Sequence, residues 1–208
     1  MVLKLLKPWA TTTQGVNRMT AESSGGLWGH QEWAELNGER TLTLRELWPD
    51  DPRAMIIGLN PAPVSVKAGR YYQGRFGQRQ MHRLVQVGLF ERTDGACFWD
   101  DAAFASGIGF ADLVRRPTAG ESMVSSSEIA AGTERITLEL LRRKVPLVIS
   151  VFRHPAMHLS GLSRGKAVPG FVDLSEVPGT KLFRMPGPTE AMAKVDRVME
   201  QLKEYLEK

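Results

Sequence analysis

Residues 55–74 read MIIGLNPAPVSVKAGRYYQG and hold the side chains of this chain best suited to chemistry. A short apolar run stops at Gly58, Leu59 and Asn60 follow with Pro61 beside them, and Tyr71 and Tyr72 come soon after Gly69. A carboxamide has an oxygen that accepts hydrogen bonds and a nitrogen that donates them, so Asn60 can orient a water or a ligand. It cannot take a proton as a carboxylate would. Tyr72 offers a flat aromatic face. Each has an ordinary structural reading beside the chemical one. Asn60 serves equally as a turn residue bonding its own backbone, the tyrosines as core packing, and Arg115-Arg116 as a solvated face.

Other chemistries lack their residues. There is no phosphate-binding G-x-x-x-x-G-K-[ST] loop, because GLSRGKAV has neither the spacing nor the hydroxyl. Gly107-Ile108-Gly109 has no third glycine at the dinucleotide spacing, and no serine sits in a G-x-S-x-G elbow. His154 and His158 are four apart, yet Pro155 lies between them and no third ligand is evident, so no metal is expected. The single cysteine, Cys97, excludes an internal disulfide framework and any cysteine-built cluster.

The elements that must position Asn60 are strands covered on both faces. Residues 54–58, 147–152 and 181–185 are continuous apolar runs rather than alternating ones, the pattern of a parallel sheet buried by helices on each side. Helices are expected over 80–87, 126–143 and 190–208, the last with Met192, Val195, Met199, Leu202 and Leu206 on one stripe. The alternation predicts an α/β fold, three-layer α/β/α around a central, mainly parallel sheet. Residues 9–38, with Ser23-Ser24-Gly25-Gly26 as a turn, read as an arm or irregular cap, and residues 43–47 as a helical turn. Ligands of such sheets sit beyond the carboxyl ends of the strands. Asn60 and Pro61 lie there, as do Gly187-Pro188-Thr189 after the last strand. Residues 107–118 read as a glycine- and arginine-bearing loop between them, so three loops are expected to converge on one pocket.

Composition is that of an ordinary globular chain: 208 residues, 42% hydrophobic, 24% charged, with net charge +4. A mildly basic balance alone says little about partners. The apolar start of MVLKLLKPWATTT is broken by Lys7 and Pro8, so no signal peptide is expected, and no stretch approaches the ~18 apolar residues of a membrane span. A cytoplasmic protein, monomeric and away from membranes, is the expectation.

Taken together, the segments resemble a family. GLNPAPVSVKAGRYY is similar to the first motif of the uracil-DNA glycosylase superfamily in its mismatch-specific uracil/thymine-DNA glycosylase branch. The twelve-residue step from Asn60 to Tyr72 matches that between the branch's catalytic asparagine and its base-stacking aromatic. GIGFADLVRRPTAGESMVSSSEIAAG resembles its second conserved stretch, PLVISVF its third strand, and MPGPTEAMAK the motif that enters DNA. The likeness spans residues 53–206, with departures at Ala62, at RFGQRQM and at Glu190. The resemblance implies a boundary near residue 45, with 1–45 an arm or cap and 46–208 the catalytic domain.

The resemblance further implies a monofunctional DNA glycosylase that hydrolyses the N-glycosidic bond of uracil, or of other mispaired or damaged bases, without cofactor or metal. Asn60 would position the water, and Leu59, Pro61, Ser65 and Tyr72 would hold the base flipped out of duplex DNA. Lys67, Arg70, Gly187, Pro188, Thr189, Met192 and Lys194 would contact the DNA, with residues 187–192 filling the vacated space. Two alternatives stand beside this reading: a protein of the same fold that binds damaged or abasic DNA with little turnover, and a nucleoside- or nucleotide-hydrolysing enzyme with the same pocket chemistry.

Overall fold

A computed structural model describes residues 26–92 and 98–208; the expected turn at residues 23–25, the N-terminal apolar run and Cys97 lie outside the described residues. The first two elements are β1 (Gln31–Leu36) and β2 (Glu39–Leu44), an antiparallel hairpin with Leu36 opposite Glu39. Its turn is Asn37-Gly38, both at positive φ (55° and 79°), the backbone that a two-residue hairpin loop requires. This corrects the irregular cap expected over the described part of residues 9–38. The helical turn expected at 43–47 is also absent: residues 43–44 finish β2, and Leu47 forms an antiparallel bridge with Phe110. The hairpin is fastened to the rest of the chain. The His30 N–H donates to the Gly69 carbonyl at 2.8 Å, the Thr43 hydroxyl donates to the Arg115 carbonyl, and Leu44 is buried in the core.

Five further strands form the central sheet, in the order β4-β3-β5-β7-β6. These are β3 (Ala54–Gly58), β4 (Ile108–Asp112), β5 (Leu147–Ser150), β6 (Gly170–Asp173) and β7 (Lys181–Arg184). All pair in parallel except β6, an antiparallel edge. The three strands legible in the sequence are thus parallel neighbours, as expected. Residues 107–118, read as a loop, contain β4, whose five residues are all buried.

Side chains alternate across β3, and the core divides accordingly. Ile56 joins Phe110, Ile149 and Phe183 on one face, covered by α2 (Arg75–Gln86), α3 (Trp99–Ala105) and α6 (Met192–Leu206). Short α1 (Pro63–Ala68) adds Val66 to that face. Met55 and Ile57 join Val148 and Leu182 on the other, covered by α4 (Ser126–Arg143) and α5 (Arg153–Ser160). The result is the three-layer α/β/α arrangement that the strand–helix alternation predicts.

Helix α4 starts where its sequence says it should. The Ser125 hydroxyl accepts from the Glu128 N–H while the Glu128 carboxylate accepts from the Ser125 N–H, a reciprocal capping box. Midway along, Gly132 lets the helix lie directly on the chain leaving β4, since a Cβ there would collide with the Leu113 carbonyl oxygen. Gly132→Ala is expected to lower stability by ~1–3 kcal/mol, the usual range for overpacking. A urea midpoint equal to wild type would contradict that close approach.

Candidate active site

Beyond the carboxyl ends of β3, β4 and β5 opens a cavity of about 570 Å³, within the ~300–1,000 Å³ typical of small-ligand sites. Asn60 reaches it from the loop after β3, Asp112 and Thr118 from β4 and its loop, and His154 from the start of α5. Tyr72 and Phe76 complete its aromatic wall.

Asn60 is held by one end of its amide. Nδ2 donates to the Pro61 carbonyl at 3.1 Å, the Thr118 carbonyl at 3.2 Å and Thr118 Oγ1 at 2.9 Å. Two of these partners are carbonyls, which only accept, so the nitrogen must face them and the orientation of the amide follows. Thr118 Oγ1 in turn donates to the Gly120 carbonyl at 2.9 Å. The Asn60 Oδ1 atom takes no bond from a described residue and is left as a fixed acceptor at the cavity wall. The turn reading of Asn60 is therefore incomplete: the amide bonds its local backbone through nitrogen and still presents oxygen.

Asp112 forms part of the cavity floor and went unnoticed in the sequence. It ends β4 directly opposite Gly58, the last residue of β3, and is 5% exposed. No described residue hydrogen-bonds its carboxyl. Burial, reinforced by the nearby Glu46 charge and only partly opposed by Arg135, raises its pKa to about 8. At pH 7 this favours the neutral acid over the carboxylate. A Cβ at Gly58 would collide with Asp112 Oδ1 and come within 3.1 Å of the Tyr72 hydroxyl, so only glycine leaves room for both groups.

The Tyr72 hydroxyl is itself buried without a hydrogen-bond partner among the described residues. The ring is half-buried, with its centroid 6.1 Å from those of both Tyr71 and Phe110. Tyr72 thus serves core and cavity together, rather than standing as a rim residue. Its backbone lies in the left-handed region at φ 55°, a conformation costing a non-glycine residue ~1–2 kcal/mol. Neighbours hold it there. The Tyr71 N–H donates to Asp100 at 2.8 Å, the Gln73 N–H donates to Ser65 Oγ at 3.1 Å, and Gln78 Nε2 donates to the Tyr72 carbonyl at 3.0 Å. Tyr71 is structural: 3% exposed, stacked on Phe110 and bonded through its hydroxyl to the Arg45 carbonyl. Tyr72→Phe is expected to raise stability by up to ~1–3 kcal/mol, because the lost hydroxyl is buried with no partner among the described residues. Tyr72→Ala should cost at least ~2 kcal/mol, below the ~3–5 kcal/mol of a fully buried ring. Equal melts for all three proteins would show that the ring packs against nothing.

The other residues expected at the site divide. Leu59, Pro61 and Ser65 line the cavity, and Lys67 is exposed on α1. Arg70 turns inward instead of toward a phosphate, pairing with Asp101 at 2.5 Å and lying 3.1 Å from His30 Nε2. Among the described residues, His30, Asp100 and Asp101 have atoms close enough to share a metal, but the Arg70 guanidinium already supplies the positive charge among them. Nor do all three expected loops converge. Asn60 and Thr189 share the carboxyl edge of the sheet, but Thr189 and Met192 border a separate groove of about 900 Å³ between α2 and α6. The loop is clamped from α2. Gln80, fully buried, donates to the Val151 and Pro186 carbonyls, Arg83 to those of Pro186 and Gly187, and Arg79 to that of Pro188. Lys194 pairs with Glu190 at 3.2 Å.

Comparison of the chain with protein-family models and with curated proteins returned no match. Among the described residues, no helix is long and apolar enough to cross a membrane.

Proposed function

We propose that the protein is a monofunctional DNA glycosylase that hydrolyses the N-glycosidic bond of uracil, or of a related mispaired base, in duplex DNA. The observation that carries this reading is the pairing of a fixed acceptor, Asn60 Oδ1, with a buried, unpartnered Asp112 carboxyl in one cavity. Breaking a glycosidic bond leaves an oxocarbenium-like sugar and an electron-rich base. Asn60 orients the attacking water through its oxygen without acting as a strong base, which suits a bond that breaks before the water adds. The neutral Asp112 carboxyl presents one donor and one acceptor, the complement of the N3–H and adjacent carbonyl of uracil or thymine.

Phe76, 49% exposed and lining the cavity, offers the open ring face on which an extruded base stacks, a contact of ~1–3 kcal/mol. Arg75, exposed next to Phe76, and exposed Lys67 on α1 would serve as phosphate contacts. The target base must first leave the duplex, at a cost that is least in a mismatch. The test is incubation with duplexes carrying U·G, U·A, T·G or hypoxanthine, followed by alkali to cut at abasic sites. Cleavage at the modified position, strongest for U·G, is the expected result. Tight binding with no cleavage of any duplex would point to a damage-binding protein.

A further inference from the structure

His154 and Glu121 come from different strand loops and meet at the cavity. Glu121 lies in the short 3-10 turn Glu121–Met123 after β4, and His154 in the first turn of α5. Both line the cavity with Asn60. His154 Nε2 is 2.7 Å from Glu121 Oε2. A carboxylate only accepts, so Nε2 carries a proton whether the ring is neutral or cationic, and Nδ1 is the nitrogen that exchanges one. Nδ1 has no partner among the described residues. The ring stacks on His158, centroids 6.2 Å apart, and Arg153 Nη2 lies 3.3 Å from Nε2.

We infer that His154, oriented by Glu121, is the proton donor to the departing base. The inference rests on the glycosidic reading above and supplies what that reading lacks, an acid on the leaving group. The C1′–N bond breaks with its electron pair passing to the base, and the imidazolium gives its Nδ1 proton to that base. The water held by Asn60 adds its oxygen to C1′, and the proton it sheds returns to the imidazole. The base leaves neutral, and Glu121 holds the ring in place through Nε2.

Leaving-group dependence in single-turnover rates tests this on paired U·G and 5-fluorouracil·G duplexes. 5-Fluorouracil departs readily as an anion and needs little acid help. His154→Gln is expected to slow uracil release by about 10²-fold or more and 5-fluorouracil release by no more than about tenfold, matching loss of a general acid. Glu121→Gln should show the same split, reduced in size. Equal loss on both substrates, or no loss on either, would overturn the role while leaving the glycosidic reading intact. A wild-type protein that releases neither base would instead overturn that reading, and this role with it. Thermal melts of each variant confirm that the folded protein is being compared.

Discussion

Asn60→Ala is expected to slow base release by about 10²–10³-fold, the range for removing one preorganised polar group from an active site. Binding to the same duplex should change little, because the role proposed for Asn60 is on water and not on phosphate. The variant must be tested for fold, since its amide also ties the β3 loop to Thr118. Asn60→Asp is the informative companion. It offers a true base, yet the oxygen replacing Nδ2 would face the Pro61 and Thr118 carbonyls and be repelled by both. The aspartate is therefore expected to run slower than wild type rather than faster. Were it faster, the amide clamp would not be what sets the geometry.

Asp112→Asn is expected to stabilise the protein at alkaline pH by an amount on the order of a few kcal/mol. The sign follows from proton counting. The folded carboxyl, with its pKa raised to about 8, keeps its proton over a range where the unfolded chain has lost it near 4. The wild-type fold therefore loses stability as pH rises from about 4 to 8, and the loss levels off above 8. The asparagine variant lacks this slope, so the two proteins should melt alike near pH 4 and diverge toward pH 8. Urea melts across that range check it, and parallel curves would mean that the carboxyl is ionised in the folded protein. In base release, asparagine can still present one donor and one acceptor, so activity near neutral pH should survive and lose its alkaline decline.

Continuous apolar runs made β3, β5 and β7 legible, and the apolar face of Ile129, Ile136 and Leu140 made α4 legible over 126–143. Strand β4 escaped because glycines at 107 and 109 interrupt its apolar run, although Ile108, Phe110 and Ala111 are wholly buried. That omission hid Asp112. A polar residue closing a buried run is the same signal that selected Asn60, and it was available at position 112. The β1–β2 hairpin carried an Asn37-Gly38 pair between alternating segments, outweighed by the short polar strands around it. The inward turn of Arg70 had no local signal, since its partners Asp100 and Asp101 are thirty residues away in sequence. In the sequence, His154 suggests only a metal pair with His158. Its contact with Glu121 joins two strand loops and depends on the sheet order.

On the proposed reading, Asn60 directs water to a base-bearing sugar held in this cavity. A single-turnover incubation of excess protein with a U·G duplex, analysed for free uracil and for abasic sites in the same sample, tests it most directly. Wild type should yield the two products in equal amounts, and Asn60→Ala should yield almost none while binding the duplex as tightly. No free base from wild type, or equal release by both proteins, would contradict the claim.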